Sequence, residues 1–403
     1  MARFKYSGRN KSGKKAGVVT ADTKREAMEK LKLEGIRVIE MTMVPETFLT
    51  RDLSIGNPVK LQHFVIFIRQ FSTLLQSGVT VVDATSILAQ QTESKPLSKA
   101  LESIEQDLQE GKALSQACAK HKKIFSTMYI NMVKAGEAGG NLDSTLDRLA
   151  DHFEKQQATR QKITSAMAYP VVVAFVAFFV VIFLLTSVVP TFADMFSDFG
   201  GELPAITRFV LGASGFMQKA WYLVILFALL IAFGIVSFKK NPKTRYYFDY
   251  AMLRMPLFGK MMQKAVLARM TRTLSSLFSS SVPILQAMKI VEQVVENEVV
   301  GRVIRESHDS LERGQSITDP MKKHWAFPPL ITQMISIGEK TGALDAMLGK
   351  VADFYEKEVE ASTDRLKSLI EPLMIVLLAG IVGTIVISIM VPMFEIFNQV
   401  DNM

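Results

Sequence analysis

The chain has 403 residues, 49% of them hydrophobic, and carries a net charge of +8 from 47 basic and 39 acidic side chains. Its single cysteine, Cys118, excludes an internal disulfide and is typical of a protein in a reducing cytoplasm. The positive charge could indicate nucleic acid, but long apolar segments favour a surface that faces anionic lipid headgroups. We therefore expect a membrane protein with the lipid bilayer, and no nucleic acid, as its partner.

Residues 1–43 predict a small basic α+β module. Strand-forming residues flank a polar turn at Gly8–Lys15, and Thr23–Glu26 has the spacing of a capping box, which satisfies the first free amides of a helix. Gly35 is expected to end that helix, and Ile36–Met41 is expected to form a closing strand. The sequence leaves open whether this module is a docking surface or a cap.

The turn at Gly8–Lys15 nearly matches the phosphate-binding loop G-x-x-x-x-G-K-[ST]. Lys15 stands where a hydroxyl that holds magnesium would be needed. The residues that follow favour a strand instead of the helix whose N-terminus binds phosphate. The pattern therefore predicts a basic hairpin, and any ATP hydrolysis is expected in another subunit.

Much of the chain occurs twice. Phe71–Val79 returns as Leu274–Val282 at an offset of 203 residues, and Gly136–Asp143 returns as Gly338–Asp345 at an offset of 202. The near-constant offset indicates an internal duplication. After a linker at 44–58, helical periodicity predicts a six-helix bundle with its own core in each copy. The bundles are predicted at 59–169 and 239–371, with first-copy helices at Leu61–Gln76, Val81–Gln91, Pro96–Glu110, Ala113–Lys120, Thr127–Ala135 and Leu142–Ala168.

Three uncharged runs are long enough to cross a membrane core of about 30 Å as helices. The alternative, a buried helix of a soluble core, is disfavoured by their length and lack of charge. Basic residues precede the first run, follow the second and precede the third, so the positive-inside rule places the N-terminus and 239–371 in the cytoplasm. The loop 190–220 and the tail 394–403 are then outside. The predicted spans are 171–189, 221–238 and 372–393.

The repeated segment Gly-Glu-x-x-Gly-x-Leu-Asp is the sharpest local signal. Its first glycine is expected to end one helix and its second to turn the chain. Its aspartate is expected in the first turn of the next helix, where the helix dipole favours an acid. A turn does not need the glutamate, which leaves a polar cross-tie and a partner contact as alternatives. These candidate site residues are Gly136, Glu137, Gly140 and Asp143, and in the second copy Gly338, Glu339, Gly342 and Asp345.

Pro170 and Pro372 mark the points where each predicted bundle meets its span. Proline lacks a backbone donor and bends a helix interior, but it is also favoured at the first position of a helix. A hinge and a helix start therefore both remain open. Glu371, beside the second proline, is expected in the membrane interface, where it could pair with another subunit.

No clustered catalytic or metal-binding pattern is present, so we expect neither an enzyme nor a cofactor. The five histidines show no ligand spacing with one another or with Cys118. Asp151 and Glu154 could hold a divalent cation in a dimer of the first copy, although a solvated helix face is the simpler interpretation.

With these motifs in order, the chain resembles the inner-membrane platform proteins of type IV pilus assembly and type II secretion, the GspF/PilC family. The second copy departs from the first at Ser281, which stands where the first has Gly78, so its first hairpin is expected to have a different shape. The resemblance covers essentially the whole chain and rests on Leu74–Gly78, the two Gly-Glu segments, Tyr169-Pro170, Glu371-Pro372 and Leu203–Thr207.

The family resemblance implies a scaffold of mainly α fold: two homologous cytoplasmic bundles, three spans and the N-terminal module. Such platforms form homo-oligomers in the inner membrane, engage a hexameric cytoplasmic ATPase, contact other membrane assembly proteins and receive pilin or pseudopilin subunits. The alternative is an oligomeric channel or transporter for small solutes. It is disfavoured because the predicted spans contain no ionisable residue.

Overall fold

The computed structural model shows a mainly helical chain that divides into two compact units, Met1–Pro58 and Val59–Met403. The mainly α class is therefore confirmed. The structure describes residues 2–10, 13–21, 24–33, 36–43, 57–198, 204–240, 242–256 and 258–400.

The N-terminal unit is a three-stranded antiparallel sheet with a helix, as the sequence predicts. The first strand lies in the centre and has a bulge between Ser7 and Gly8. Tyr6, Leu31 and Ile36 form its small core. The predicted cap at Thr23 and stop at Gly35 lie outside the described residues. The elements are β1 (Ala2–Asn10), β2 (Gly13–Ala21), α1 (Lys24–Leu33) and β3 (Arg37–Met43).

The run that resembles a phosphate-binding loop lies across the β1–β2 hairpin, where Gly8 pairs with Lys15. No helix follows Lys15 directly, because the chain continues as β2. The hairpin interpretation is confirmed, and the helix N-terminus that a phosphate-binding loop requires does not follow this glycine-lysine run.

The first copy forms six helices at the predicted places. Thr80 and Ser126 accept hydrogen bonds from backbone amides at the starts of two of them, while Gly78 provides the left-handed turn between the first and second. The last helix is longer than expected, since it continues through Pro170 to Phe183. The helices are α2 (Leu61–Gln76), α3 (Val81–Gln91), α4 (Lys95–Gln109), α5 (Leu114–Ala119), α6 (Thr127–Gly139) and α7 (Leu142–Phe183).

The chain then passes through a π-helical turn at Leu184–Val188 into α8 (Val189–Asp198). The following helix, α9, extends over Ala205–Lys240 and has a kink at Ala220, where φ is −125° and ψ is 20°. A further helix, α10 (Pro242–Arg254), precedes the second bundle.

The second copy repeats the six-helix order. Its first turn was expected to differ, and this is wrong: Ser281 adopts a left-handed φ of 58°, close to the 85° of Gly78. The amide of Val282 donates to the Leu277 carbonyl, as that of Val79 does to Leu74. The helices are α11 (Phe258–Ser279), α12 (Ile284–Val294), α13 (Glu298–Glu312), α14 (Thr318–Lys323), α15 (Pro329–Thr341) and α16 (Leu344–Val400).

The two bundles share one continuous hydrophobic core instead of two separate ones. The reason is that α11 is buried on several faces and packs against both α16 of its own copy and α7 of the other. Aromatic residues concentrate in the first half of this core, where Phe64 contacts the rings of Phe125, Tyr129 and Phe153.

Two helical stretches of the described chain, Leu142–Met195 and Leu344–Phe394, are long and apolar enough to span a membrane. Their apolar side chains face outward, as at Phe175 and Ile375, both 63% exposed. Large exposed apolar surfaces of this kind indicate contact with lipid. The third predicted span, 221–238, is helical within α9 but is not one of these two stretches, so it stays a prediction.

Candidate functional site: the bases of the two long helices

The repeated Gly-Glu segment ends a helix one turn later than predicted. Gly136 and Gly338 lie inside α6 and α15, so the expectation that they end these helices is wrong. The second glycines perform that role: Gly140 and Gly342 are left-handed caps with φ of 66° and 74°.

The first glycines are needed for close packing. A Cβ at Gly136 would lie 2.6 Å from Thr145 Oγ1, and a Cβ at Gly338 would lie 3.0 Å from the Leu344 Cα. Each glycine therefore lets the helix before the turn pack directly on the start of the long helix after it. Sequence spacing could not reveal this contact, because it depends on the angle between the helices.

The two glutamates are polar cross-ties within their bundles. Glu137 accepts hydrogen bonds from the amide and hydroxyl of Ser115 at 3.2 and 2.5 Å. Glu339 accepts from the hydroxyl of Ser316 at 2.6 Å and from the amide of Ile317 at 3.2 Å. Each carboxylate thus satisfies a backbone amide at the start of the short fourth helix of its copy, where a helix dipole favours negative charge. The partner-contact alternative has no support in this geometry.

Asp143 and Asp345 lie in the first turns of α7 and α16, as expected from the helix dipole. Both side chains are exposed. The Ser275 hydroxyl donates to the backbone carbonyl of Asp345 at 2.9 Å, which ties α11 to the start of α16.

An arginine clamp joins the first helix of the first copy to its long helix. Arg69 on α2 makes a two-pronged contact with Glu154 on α7 at 2.6 and 2.8 Å. It also binds Asp147 at 2.6 Å and Asp151 at 2.5 Å. The guanidinium holds the pKa of Glu154 below its usual range, while the carboxylates raise that of Arg69. Asp151 and Glu154, considered above for a divalent cation, are therefore occupied by Arg69.

The second copy contains the same clamp. Arg272 on α11 binds Glu356 on α16 through two contacts of 2.8 Å, and it also contacts Asp353. This arginine is more buried than Arg69, with 13% against 35% of the side chain exposed. Sequence analysis missed both clamps, although the arginines recur at the offset of 203 and the Asp-x-x-Glu pairs at 202.

The two long helices also contact each other across the copies. Lys155 pairs with Asp353 at 3.1 Å, and Lys162 pairs with Glu360 at 2.5 Å. His152 lies buried between α7 and α11, with its Nδ1 3.2 Å from the Ser276 hydroxyl. Burial, with the nearby positive charges of Arg272 and Arg269, lowers the pKa of His152 to about 3. The imidazole is therefore neutral at physiological pH.

Pro170 and Pro372 lie within uninterrupted helices, so the helix-start alternative is wrong for both. Each proline removes the hydrogen bond to the carbonyl four residues earlier, which leaves a weak point between bundle and apolar stretch. Glu371 is exposed and forms no ion pair with the described residues. A hinge at either proline is a prediction that the static geometry does not test.

A second pair of prolines near the far ends of the apolar stretches exposes two backbone carbonyls. Pro190 and Pro392 cannot donate to Thr186 and Ser388, four residues earlier. Polar side chains in the first half of α9 supply the missing donors. Gln218 Nε2 donates to the Thr186 carbonyl at 3.3 Å, and Thr207 Oγ1 donates to the Ser388 carbonyl at 2.7 Å. Ser214 Oγ donates to a third carbonyl, that of Leu185, at 2.5 Å.

This arrangement changes the picture of the segment at 190–220, which was predicted as a loop with at most an amphipathic turn. It contains α8 and the first half of α9, and Val210 packs with Leu185, Val189 and Ile385. Its Ser, Thr and Gln side chains satisfy backbone carbonyls near the ends of the apolar stretches, including those freed by proline.

One group of side chains among the described residues could share a metal ion, because their ligand atoms lie within 4.8 Å of one another. The group consists of His308, Asp309 and Glu312. All three belong to α13, and both carboxylates are exposed. Three side chains from one helix face give no enclosed coordination shell, so we assign no metal to them.

The sequence matches the family model of type II secretion system protein F twice, at 67–190 and 270–392, and the model of that protein's N-terminal domain at 1–42. The whole chain is 39% identical to a type IV pilus assembly protein PilC of Thermus thermophilus, over 100% of both. It is 34% identical to PilC of Myxococcus xanthus, over 99% of this chain and 96% of the relative. The identity to type II secretion system protein F of Vibrio cholerae is 32% over 100% of both.

The duplicated bundles and their two long apolar helices define a membrane-associated assembly protein, and they point to an inner-membrane location. The chain belongs to the type II secretion system protein F family, which includes the PilC proteins of type IV pilus assembly.

Proposed function

We propose that this protein is the inner-membrane platform of a type IV pilus, and that it couples a hexameric cytoplasmic ATPase to the insertion of pilin subunits. The observation that carries the proposal is the construction of each copy. A compact bundle is clamped by an arginine to the base of one helix, and that helix continues without a break into an apolar stretch. A displacement of the bundle would therefore pass to the membrane along one continuous helix, which can bend where its proline lies.

The pilus is preferred to the secretion system because the relatives of higher identity, at 39% and 34%, are named as pilus assembly proteins. Both systems use the same architecture, so type II secretion, with pseudopilins as cargo, is the second candidate. Relatives at 33% and 32% identity carry that name.

The membrane arrangement that we propose has three spans, with 221–238 as the second. The N-terminus and the second bundle are then cytoplasmic, and the C-terminus is outside. Support comes from the basic residues that follow 238 and from exposed apolar side chains in α9, such as Phe227 at 66% and Phe233 at 71%. The first half of α9 would then seal the outer ends of the other two spans.

The bundles would bind the ATPase, and the spans would receive pilin and contact other membrane assembly proteins. We also expect a homo-oligomer. The repeated segment around Gly136 and Gly338 would act structurally, because its glutamates are used within the bundles. Pro170 and Pro372 would act as the flexible joints between bundle and span.

A solute channel is less well supported. The hydroxyls of Thr186 and Thr384 donate to the backbone carbonyls of Ile182 and Gly380, and that of Ser388 donates to Ile385. Polar groups that are satisfied within their own helix offer little lining for water or ions.

The deciding experiment deletes the gene and images the cells for surface filaments, with membrane pilin followed by blotting. Loss of filaments while pilin accumulates in the membrane, restored by the wild-type gene, is the expected result. Normal filaments would contradict the pilus assignment, and loss of secreted proteins in the same strain would then favour the secretion system.

A further inference from the structure

Aromatic rings and guanidinium groups alternate on the surface of the second bundle. Arg302 lies 4.3 Å from the centre of the Tyr246 ring, and Tyr246 stacks on Tyr250 at 6.3 Å. Arg254 lies over the rings of both Tyr250 and Trp325, at 5.0 and 5.1 Å, and these two rings contact each other edge to face at 5.6 Å. We call these five residues the arginine–aromatic ladder. Its spacing follows from α10, where positions 246, 250 and 254 lie on one helix face.

The two arginines of the ladder differ from four arginines that pair with carboxylates within the bundles. Arg69, Arg269, Arg272 and Arg305 each pair with a carboxylate. Within the described part of the chain, the guanidinium groups of the ladder have aromatic faces as their contacts and no carboxylate partner, and both side chains are exposed. A guanidinium held by its face keeps its N–H edge available, which suits bidentate binding of a phosphate.

The ladder lies next to the predicted second span. Only seven residues separate Phe238, the last residue of 221–238, from Tyr246, and α10 packs against α9. Tyr247 on α10 is 73% exposed and Trp325 is 40% exposed, and such aromatic residues favour the membrane interface. In the first copy, Lys122 stands at the position equivalent to Trp325.

We propose that Arg254 and Arg302 each bind the phosphate of an anionic phospholipid headgroup in the cytoplasmic leaflet. The inference rests on the proposed membrane crossing of 221–238. A lipid is favoured over a soluble phosphate because the donors lie among exposed aromatic rings beside an apolar helix, in a chain of net charge +8. The headgroup would fix α10, and with it the second bundle, against the bilayer surface.

The test places the full-length protein in nanodiscs that contain phosphatidylcholine alone or mixed with phosphatidylglycerol, and counts retained lipids by native mass spectrometry. Wild type is expected to retain phosphatidylglycerol. The double variant Arg254→Gln/Arg302→Gln is expected to bind it roughly tenfold or more weakly, since each arginine near the surface contributes about 1 kcal/mol. The matched control, Lys122→Gln/Lys123→Gln, removes two exposed basic residues from the first copy and is expected to bind as wild type does.

Two further variants separate stacking from charge. Trp325→Leu and Arg254→Lys keep the positive charge but remove the stacking of the Arg254 guanidinium on the Trp325 ring. Both are expected to weaken retention of phosphatidylglycerol. Equal retention of the two lipids by wild type, equal loss in the lysine control, or unchanged retention in Trp325→Leu would each overturn the proposal. Inorganic phosphate that competes fully with the lipid in detergent would reassign the site to a soluble anion.

Fluorescence tests the position of the ladder separately. The chain has two tryptophans, so Trp221→Phe leaves Trp325 as the only one. Brominated lipids are expected to quench Trp325 in this variant, and the absence of quenching would contradict a site at the bilayer. Both measurements use purified protein. If the deletion strain keeps its filaments, the proposed function is contradicted, but the lipid-binding result is not affected.

Discussion

Gly78 and Ser281 occupy equivalent turns, and both have a left-handed backbone, with φ of 85° and 58°. A glycine adopts this conformation without steric cost, whereas the serine side chain costs about 1 kcal/mol. The second copy thus keeps the shape of the turn at the expense of some stability.

We therefore expect Ser281→Gly to stabilise the purified protein by about 1 kcal/mol, and Gly78→Ser to destabilise it by a similar amount. No atom lies within 4 Å of a Cβ built at Gly78, so the effect would arise from the backbone and not from a clash. Thermal unfolding in detergent measures both changes. The changes in stability at the two sites must have opposite signs, and a loss of stability in Ser281→Gly would contradict this explanation.

The second arginine clamp is expected to contribute more stability than the first, because it is more buried. Arg272→Met leaves Glu356, only 21% exposed, without its partner and should destabilise by about 2 kcal/mol. Arg69→Met should cost less, since Glu154 is 41% exposed. Unfolding of the two variants under identical conditions gives the comparison.

Removing both partners of the second clamp provides the control. The double variant Arg272→Met/Glu356→Met should recover part of the stability lost in Arg272→Met, because no buried carboxylate is left unpaired. A double variant whose loss of unfolding free energy exceeds the sum of the losses in the two single variants would argue against the clamp.

His152 predicts a loss of stability in mild acid. Its pKa is about 3 in the folded protein and about 6.5 in the unfolded chain, so below pH 6.5 the unfolded chain takes up the proton first. The stabilisation is complete above pH 6.5 and is lost, at about 1.4 kcal/mol per pH unit, as the pH falls toward 3. Burial also lowers the pKa of His121 and His324, which add to the same slope.

Phenylalanine replaces this histidine at the equivalent position of the second copy, Phe354. His152→Phe should therefore reduce the slope of stability between pH 6.5 and 5 without removing it. The carboxylates of the clamps have lowered pKa values, so they contribute mainly below this window, where carboxylates of the unfolded chain take up protons. Identical slopes in wild type and variant would mean that His152 is accessible to protons in the folded protein.

The contact between Thr207 and the Ser388 carbonyl can be tested through Pro392. Thr207→Val should destabilise the protein by about 1 kcal/mol, because the carbonyl then lacks a donor in an apolar region. In a Pro392→Ala background residue 392 regains an N–H that can donate to Ser388. Thr207→Val should then have little effect. An equal loss in both backgrounds would show that Thr207 acts by packing alone.

If Pro170 and Pro372 act as joints, replacing them should impair filament assembly without lowering the amount of protein in the membrane. Replacing both by alanine restores two backbone donors and stiffens α7 and α16. We expect fewer surface filaments, with membrane levels of the protein and ATPase binding unchanged. Filaments in normal number and length would rule out bending at these positions. Pro283→Ala, at the start of α12 and away from the junctions, is the matched control.

The sequence predicted the bundle helices well because their apolar periodicity and turn residues are local features, as at Thr80 and Gly140. It placed Gly136 wrongly, because a glycine required by a neighbouring helix looks the same as one that ends a helix. The clamps escaped notice since Arg69 and Glu154 are 85 residues apart. The first half of α9 was mistaken for a loop because the acceptors for its polar side chains lie in distant helices.

The contact between the two long helices is not symmetric. In a true two-fold pair, the bond between Lys155 and Asp353 would be matched by one between Lys357 and Asp151. No such bond forms among the described residues, although each aspartate binds the arginine of its own copy. The fused copies have therefore become two distinct halves of one subunit. Any ring of these subunits presents two kinds of bundle in equal numbers, so a partner with identical sites can use only one kind equivalently, and the other half is free to evolve a separate attachment.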